Sequence, residues 1–489
     1  MADSSGFSGI RAIFWPIHKE ELKKFLPMAM MMFCILFNYS LLRMNKDSLV
    51  VPKCDAEIIS ALKLWWVLPS AFIFMIVYAK MANIMSKPKL FYTIIVFFLA
   101  FFALFGFVLY PLGDSIYLDM SGAIEAVPAL KWIFKSIECW PLSLFYMMSE
   151  LWGSVMLSLM FWQFANQITP VLQAKRFYSM FGFVGNTGLI ASGSLVKIIK
   201  TLPKISQNYI ITVSLLCLGA LAIFLYRWIN VNVLTDPTQY NPGEQTAKKK
   251  KVKLSLSESF KYIFTSKYLG LIALLVICYG ISINLIEGAW KDQIKVLYPD
   301  EAEYRAFMGS LQIWTGFGTI ICMIIGTNIL RILGWTFGAL STPVMILLTG
   351  FVFFGLILCR GSEYIVGMLG ENLLFYIVYV GLLQNVLSKA TKYSLFDSTK
   401  EMSYIPLDDE LKTKGKAAVD VVGGRLGKSG GALIQFLLFA VPGNNFTNCA
   451  GILAIICGVM LVVWILAVIS LSKEFNAKTG GVTDVKAKN

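Results

Sequence analysis

The stretch "VVGGRLGKSGGALIQF", Val421–Phe436, sets glycines ahead of Lys428 and Ser429, as a nucleotide-binding P-loop does. A P-loop needs a glycine six residues before its lysine and a strand leading into the loop. The residue at that place is Val422, with Gly423 one position late. The surrounding segment stays apolar for about twenty residues, and no strand pattern precedes it. Gly424, Gly427 and Gly430 recur at i, i+3 and i+6, near one helical face, where small residues let another helix approach closely. The stretch therefore reads as a membrane-spanning helix with a lysine inside it.

The rest of the chain agrees. Of 489 residues, 57% are hydrophobic and 15% charged, whereas soluble domains carry about a quarter charged residues. Apolar runs near 25–42, 58–79, 90–110, 140–164, 177–199 and 208–226 read as six spans. Six more follow near 268–288, 306–330, 334–359, 364–388, 417–441 and 449–471. The expected fold is an all-α polytopic membrane protein of twelve transmembrane helices in two six-helix bundles, the layout of a secondary transporter. The divisions are a tail at 1–24, a first bundle at 25–226, a basic linker at 227–267, a second bundle at 268–471 and a tail at 472–489. The linker contains "KKKKVK", Lys248–Lys253.

Lysine and arginine placement sets the orientation. With both termini cytoplasmic, roughly 28 basic residues lie inside and roughly 13 outside. That asymmetry accounts for most of the net charge of +14 without a nucleic-acid partner. The polar first 24 residues show no cleavable apolar core, and the chain is expected in a bacterial inner membrane. Nine cysteines, with no C-x-x-C pair, read as small packing residues rather than a disulfide framework. His18 is the one histidine and sits in the N-terminal tail. That excludes a zinc site or a serine–histidine centre within the membrane, and nothing calls for a cofactor.

A faint internal repeat is present. "FGFVGNTGLIASG" from Phe181 aligns Gly182, Gly185 and Gly188 with Gly424, Gly427 and Gly430, and Asn186 with Lys428. "NYSLLRMNKD" and "NLIEGAWKD" likewise align Lys46–Asp47 with Lys291–Asp292. Matching elements six spans apart argue for duplicated halves.

Charges inside spans are the candidate functional residues, since each costs at least ~2.5 kcal/mol on insertion scales unless it faces protein or water. Lys428 and Glu150 lie deepest. Lys63 and Glu287 lie nearer span ends, where reaching the interface is an equally good account. Arg43, Lys46 and Arg425 flank the spans as further cations. Lysine and arginine bind phosphate oxygens through charge-assisted hydrogen bonds, so this set suits a polyanionic solute. A base would need an aromatic partner, and Tyr39, Phe145, Tyr146, Trp162, Tyr279 and Phe375 are available.

Several segments resemble one family closely. "MFCILFNYSLLRMNKDSLVV", "SELWGSVMLSLMFWQFANQIT", "AKRFYSMFG", "KYSLFDSTKEMSYIPLD" and "GKSGGALIQ" together resemble the ATP/ADP translocases of obligate intracellular bacteria and plastids, across roughly residues 12 to 475. The resemblance implies a carrier similar to the major facilitator architecture, moving nucleotides by alternating access. It implies transport roles for Lys63, Glu150, Glu287 and Lys428, and nucleotide exchange or import across an inner membrane, with ATP for ADP the first expectation; the expected partners are the nucleotide and the lipid bilayer, and the sequence does not fix the number of subunits. Two other readings remain open. One is a proton-coupled importer of GTP, UTP or another nucleotide. The other is a membrane-embedded phosphotransfer enzyme, for which "LDDE" at Leu407–Glu410 is the one close acidic cluster; it reads better as a solvated loop.

Overall fold

The computed structural model describes residues 15–240, 266–361, 370–407 and 423–479, with 367, 416 and 419 between them. Among these, eleven helices are long and apolar enough to cross a bilayer. They are α1 (Leu22–Cys54), α2 (Ile58–Ile84), α3 (Lys87–Ile116), α4 (Trp140–Ile168), α5 (Arg176–Thr201) and α6 (Lys204–Asn232). After the linker come α7 (Lys267–Leu297), α8 (Glu301–Ile325), α9 (Ile332–Leu358) and α10 (Leu373–Ser403). The shorter apolar helix α11 (Gly424–Phe439) precedes α12 (Ala450–Lys478). The lysine run Lys248–Lys253 and most of the "LDDE" loop lie outside the described residues.

Four of the six repeat glycines, Gly185, Gly188, Gly427 and Gly430, lie against a partner helix, whereas a Cβ on Gly424 would meet nothing within 4 Å and one on Gly182 would face Met323. In the first half α5 lies against α1: a Cβ on Gly188 would stand 3.0 Å from the Phe33 carbonyl oxygen and 3.1 Å from the Phe37 nitrogen. In the second half α11 lies against α7 in the same way. A Cβ on Gly280 would stand 2.7 Å from the backbone of Gly427, and one on Gly431 3.2 Å from the Ile281 carbonyl oxygen. The sequence repeat is thus a repeated helix–helix contact. Because the neighbour is backbone in each case, Gly280→Ala forces the helices apart, at about 1–3 kcal/mol for overpacking. The variant is expected to melt lower in detergent than Gly458→Ala, whose added Cβ meets nothing within 4 Å; equal melting would contradict the close contact.

Several span ends differ from the sequence expectation. The first helix continues twelve residues past 42, to Cys54, so that Lys46 and Asp47 lie buried within it rather than at an interface. The tenth runs to Ser403, not to 388, and buries Lys389. Hydropathy drops at these charges, but each is paired inside the protein, which removes the reason to end the helix there. The eighth and ninth spans shift to Glu301–Ile325 and Ile332–Leu358, with the chain bending at Gly334, whose φ of 81° suits glycine. Wide π-helical turns interrupt α2 at Leu62–Val67, α4 at Gly153–Phe161 and α10 at Lys392–Phe396. Such turns displace side chains from the regular helical face and concentrate at functional sites. Here they hold Lys63, follow Glu150 and hold Lys392.

Candidate functional site

Two helices carry most of the charge. On α1, Arg43, Lys46 and Asp47 stand at i, i+3 and i+4, on one face. On α7, Asn284, Glu287 and Lys291 share a face at spacings of three and four. The two faces meet. The Asp47 carboxylate, fully buried, takes Lys46 Nζ at 3.0 Å on one oxygen and Lys291 Nζ at 2.9 Å on the other. Lys46 lies 3.0 Å from Glu150 Oε1 on α4 and 3.8 Å from the centre of the Tyr146 ring. Glu287 Oε1 accepts Arg43 Nη2 at 2.9 Å and faces Lys389 Nζ of α10 at 2.9 Å.

Around these pairs stand two further cations. Lys63 on α2 donates to the side-chain oxygen of Asn284, whose amide donates in turn to the carbonyls of Gly280 and Lys428. Lys428 on α11 is exposed, and its ammonium makes no hydrogen bond or ion pair with any described residue. It nevertheless acts electrostatically on the Glu150 carboxylate, together with Lys46 and Lys63. The cluster therefore holds six cations (Arg43, Lys46, Lys63, Lys291, Lys389, Lys428) against three carboxylates (Asp47, Glu150, Glu287). Among the described residues this set carries three more positive than negative charges, an arrangement that attracts a multivalent anion.

The structure brings together six of the seven charges singled out in the sequence: Arg43, Lys46, Lys63, Glu150, Glu287 and Lys428. The Arg425 side chain lies outside the described residues. Glu287 is no interfacial residue; it sits between Arg43 and Lys389. Asp47, Lys291, Lys389 and Asn284 were missed, although the repeat of "NKD" and "WKD" already marked Lys291 and Asp47. Lys389 gave no signal because it was assigned to a loop. Of the aromatic candidates, Tyr146 lies under Lys46 and Tyr39 lies near Arg43, as does Tyr393. Phe145 stacks on Phe105, Trp162 packs on Tyr178, and Phe375 stacks on Tyr379, so these three serve packing.

The contacts between the first and second halves of the chain continue from this cluster toward one end of the helices, the end where α1 stops and α2 begins. There Lys295 pairs with Asp55, Lys204 with Asp300 at 2.7 Å and Lys200 with Glu303 at 3.6 Å. Buried Arg305 reaches Ser48, Gln207 and Glu301. At the other end the described ion pairs join residues of the same half: Glu21–Arg176, Lys23–Asp236 and Lys267–Glu474. Among the described residues, the ion pairs that join the two halves therefore lie in the cluster and at the far end, where they form a latch.

One member of the latch is pH-sensitive. Glu57, between α1 and α2, is buried and accepts the Phe446 N–H at 3.0 Å from the turn before α12. Burial, then the nearby Asp292 carboxylate, push its carboxyl up to about 7 from 4.5, with Asp55 also raising it. A raised carboxyl favours the folded contact while protonated. The contribution is present below about pH 4.5 and is lost as pH rises through about 7. Wild-type melting temperature is expected to fall across that window, and Glu57→Gln to flatten the fall; an unchanged slope in the variant would rule Glu57 out as the cause.

Comparison with known proteins bears on the whole chain. The family described as "TLC ATP/ADP transporter" matches residues 1–475. ADP,ATP carrier protein 1 of Rickettsia bellii (strain RML369-C) is 49% identical over 484 residues, covering 96% of each chain. ADP,ATP carrier protein 1 of Chlamydia muridarum (strain MoPn / Nigg) is 47% identical over 487 residues, covering 96% of this chain and 92% of that one. Among solved structures, a bacterial homologue of the iron transporter ferroportin in its inward-facing state superposes with a TM-score of 0.53 at 14% identity, over 93% of this chain and 98% of that one. The nucleoside transporter NupG does so with 0.53 at 12%, over 92% and 99%. At such identities these structures show a shared fold and nothing finer. The relatives decide the rest: the chain belongs to the TLC ATP/ADP transporter family.

Proposed function

We propose that the protein exchanges ATP for ADP across a bacterial inner membrane, with twelve spans in two six-helix halves and both termini cytoplasmic. The observation that carries the reading is the excess of three positive charges among the midspan side chains, on helices of both halves. An ATP with about four negative charges, or an ADP with about three, neutralises that excess on entering. Lys428 is the first contact, because it surrenders no partner among the described residues. Lys63 follows by exchanging Asn284 for a phosphate oxygen, and Lys46 by exchanging Glu150. Glu150 and Glu287 hold the cations in place when the site is empty, so that the empty carrier is not a field of repelling ammoniums. The adenine ring lies toward Tyr39 and Tyr393, next to Arg43.

Alternating access follows from the placement of the latch. With the far end held by Lys295–Asp55, Lys204–Asp300 and Arg305, the site opens toward the termini. Substrate bridging Lys63 and Lys428 to the α1 and α7 cations draws the halves together on that side, and the far-side pairs then separate. Exchange of ATP for ADP moves one net charge per cycle, so a membrane potential biases direction by about 2.3 kcal/mol per 100 mV.

Purified protein in liposomes tests this. Labelled ATP is expected to enter ADP-loaded vesicles many-fold faster than empty ones, unchanged in chemical form, and to respond to an imposed potential. Equal entry into empty vesicles, driven by acid outside, would replace the exchanger with a proton-coupled importer. Label recovered as a different compound would replace it with an enzyme.

A further inference from the structure

The geometry points to a disulfide between Cys54 and Cys139 that staples α1 to α4 at the far end of the first six helices. Cys54 is the last residue of α1 and Cys139 the residue that starts α4. They are 85 positions apart in sequence, yet their Sγ atoms lie 3.1 Å apart. Both side chains are buried, 3% and 1% exposed. Among the nine cysteines no other two sulfurs are in contact. Closing to a bond of about 2.05 Å requires a shift of only about 1 Å, within reach of one rotamer adjustment.

The chemistry of the pair is also polarised. The Cys139 thiol donates to the Lys135 carbonyl at 2.9 Å, which leaves the Cys54 thiol to donate to Cys139 Sγ. Cys139 caps α4 through its carbonyl, which accepts from the Leu142 and Ser143 amides, while its sulfur faces the Lys135 carbonyl in the last turn of the short helix before α4. The hydrogen bond from Cys54 draws the Cys139 thiol below its ordinary value, against burial and the Glu138 carboxylate, with Lys135 assisting. A thiol that gives up its proton more readily supplies the thiolate, the form that attacks a disulfide. A cavity of about 360 Å³, lined by Lys53, Tyr117, Pro141 and Leu142, adjoins the pair from the far side.

The step balances by thiol–disulfide exchange. The Cys139 thiolate attacks one sulfur of a donor disulfide, small or protein-borne, and expels the other as a thiolate. The Cys54 thiolate then attacks Cys139 Sγ and expels the second donor sulfur. Two protein thiols become one disulfide, the donor disulfide becomes two thiols, and the two protons released by the cysteines are taken up by the donor. Such a donor is available in an oxidising compartment. The inference therefore rests on the proposed orientation, in which the far end faces away from the cytoplasm.

Both cysteines belong to the first half, so the bond does not cross between halves and leaves alternating access free. Its effect is to fix the rim next to Lys53–Asp114 and Asp55–Lys295. The full-length chain, made in a bacterial host with a fluorescent protein on its C terminus, is acid-quenched, denatured, alkylated with N-ethylmaleimide and digested with trypsin without reductant. The expected product is residues 54–63 joined to residues 136–175, two hydrogen masses lighter than the separate peptides and lost on treatment with dithiothreitol. The melting temperature of wild type is expected to drop several degrees in dithiothreitol, while that of the C54S/C139S double variant does not move. Recovery of Cys54 and Cys139 as maleimide adducts, with a fluorescent C terminus inside the cell, overturns the disulfide. Adducts together with a C terminus found outside overturn the orientation on which the disulfide rests.

Discussion

Asp47→Asn is expected to cost the protein a large part of its stability, because one carboxylate neutralises two buried ammoniums. Asp47 has no exposed side-chain surface, and its two oxygens hold Lys46 and Lys291, themselves only 4% and 6% exposed. Removing one partner of a buried ion pair costs about 3–5 kcal/mol, against a total folding free energy of about 5–15 kcal/mol. Here the loss leaves Lys46 still facing Glu150, whereas Lys291 has no other ion pair among the described residues. The variant should therefore yield little monodisperse protein and melt well below wild type. Asp47→Asn combined with Lys291→Met removes the stranded charge and should recover much of the loss. A single variant that melts with wild type would show that the pair contributes nothing.

Lys428→Ala is expected to do the opposite: leave folding alone and remove transport. Its ammonium has no ion pair among the described residues to break, so none of their carboxylates is left behind. A charge-assisted contact to phosphate is worth about 1.5–3 kcal/mol, which is roughly tenfold to a hundredfold in apparent affinity. Uptake of labelled ATP into ADP-loaded vesicles should fall by that factor at low substrate. Lys428→Arg should rescue only partly, since a planar fork does not place charge where a flexible ammonium does. Wild-type uptake by the alanine variant would sink the assignment. Read together, the two substitutions separate a cation held by the protein from one held ready for substrate.

How far each of these residues could be read in the sequence depends on where its partner lies. Lys428 and Glu150 stood out because a charge within an apolar run is costly wherever the chain folds. Gly424, Gly427 and Gly430, with their counterparts in the fifth span, stood out by spacing. Both signals are local, and both survive in the structure: α11 lies on α7 as α5 lies on α1. Glu287 and Lys63 were ambiguous, since reaching the interface explains a charge near a span end as well as pairing does. Lys389 was lost because its charge seemed to end the tenth span.

By itself the sequence determined the membrane class, nearly all the helices, the duplicated glycine contact and the resemblance to nucleotide carriers. Each follows from hydropathy, spacing or motif, properties of neighbouring residues. Only the tertiary structure decided which cations are occupied and which are not. Arg43 meets Glu287 across 244 positions and Lys63 meets Asn284 across 221. Such partners change the cost of burying a charge from prohibitive to acceptable, and so extend α1 and α10 past the points where hydropathy falls. No local pattern records that compensation. The same packing leaves Lys428 without a counter-ion among the described residues, and that difference among chemically identical lysines exists only once the helices have met.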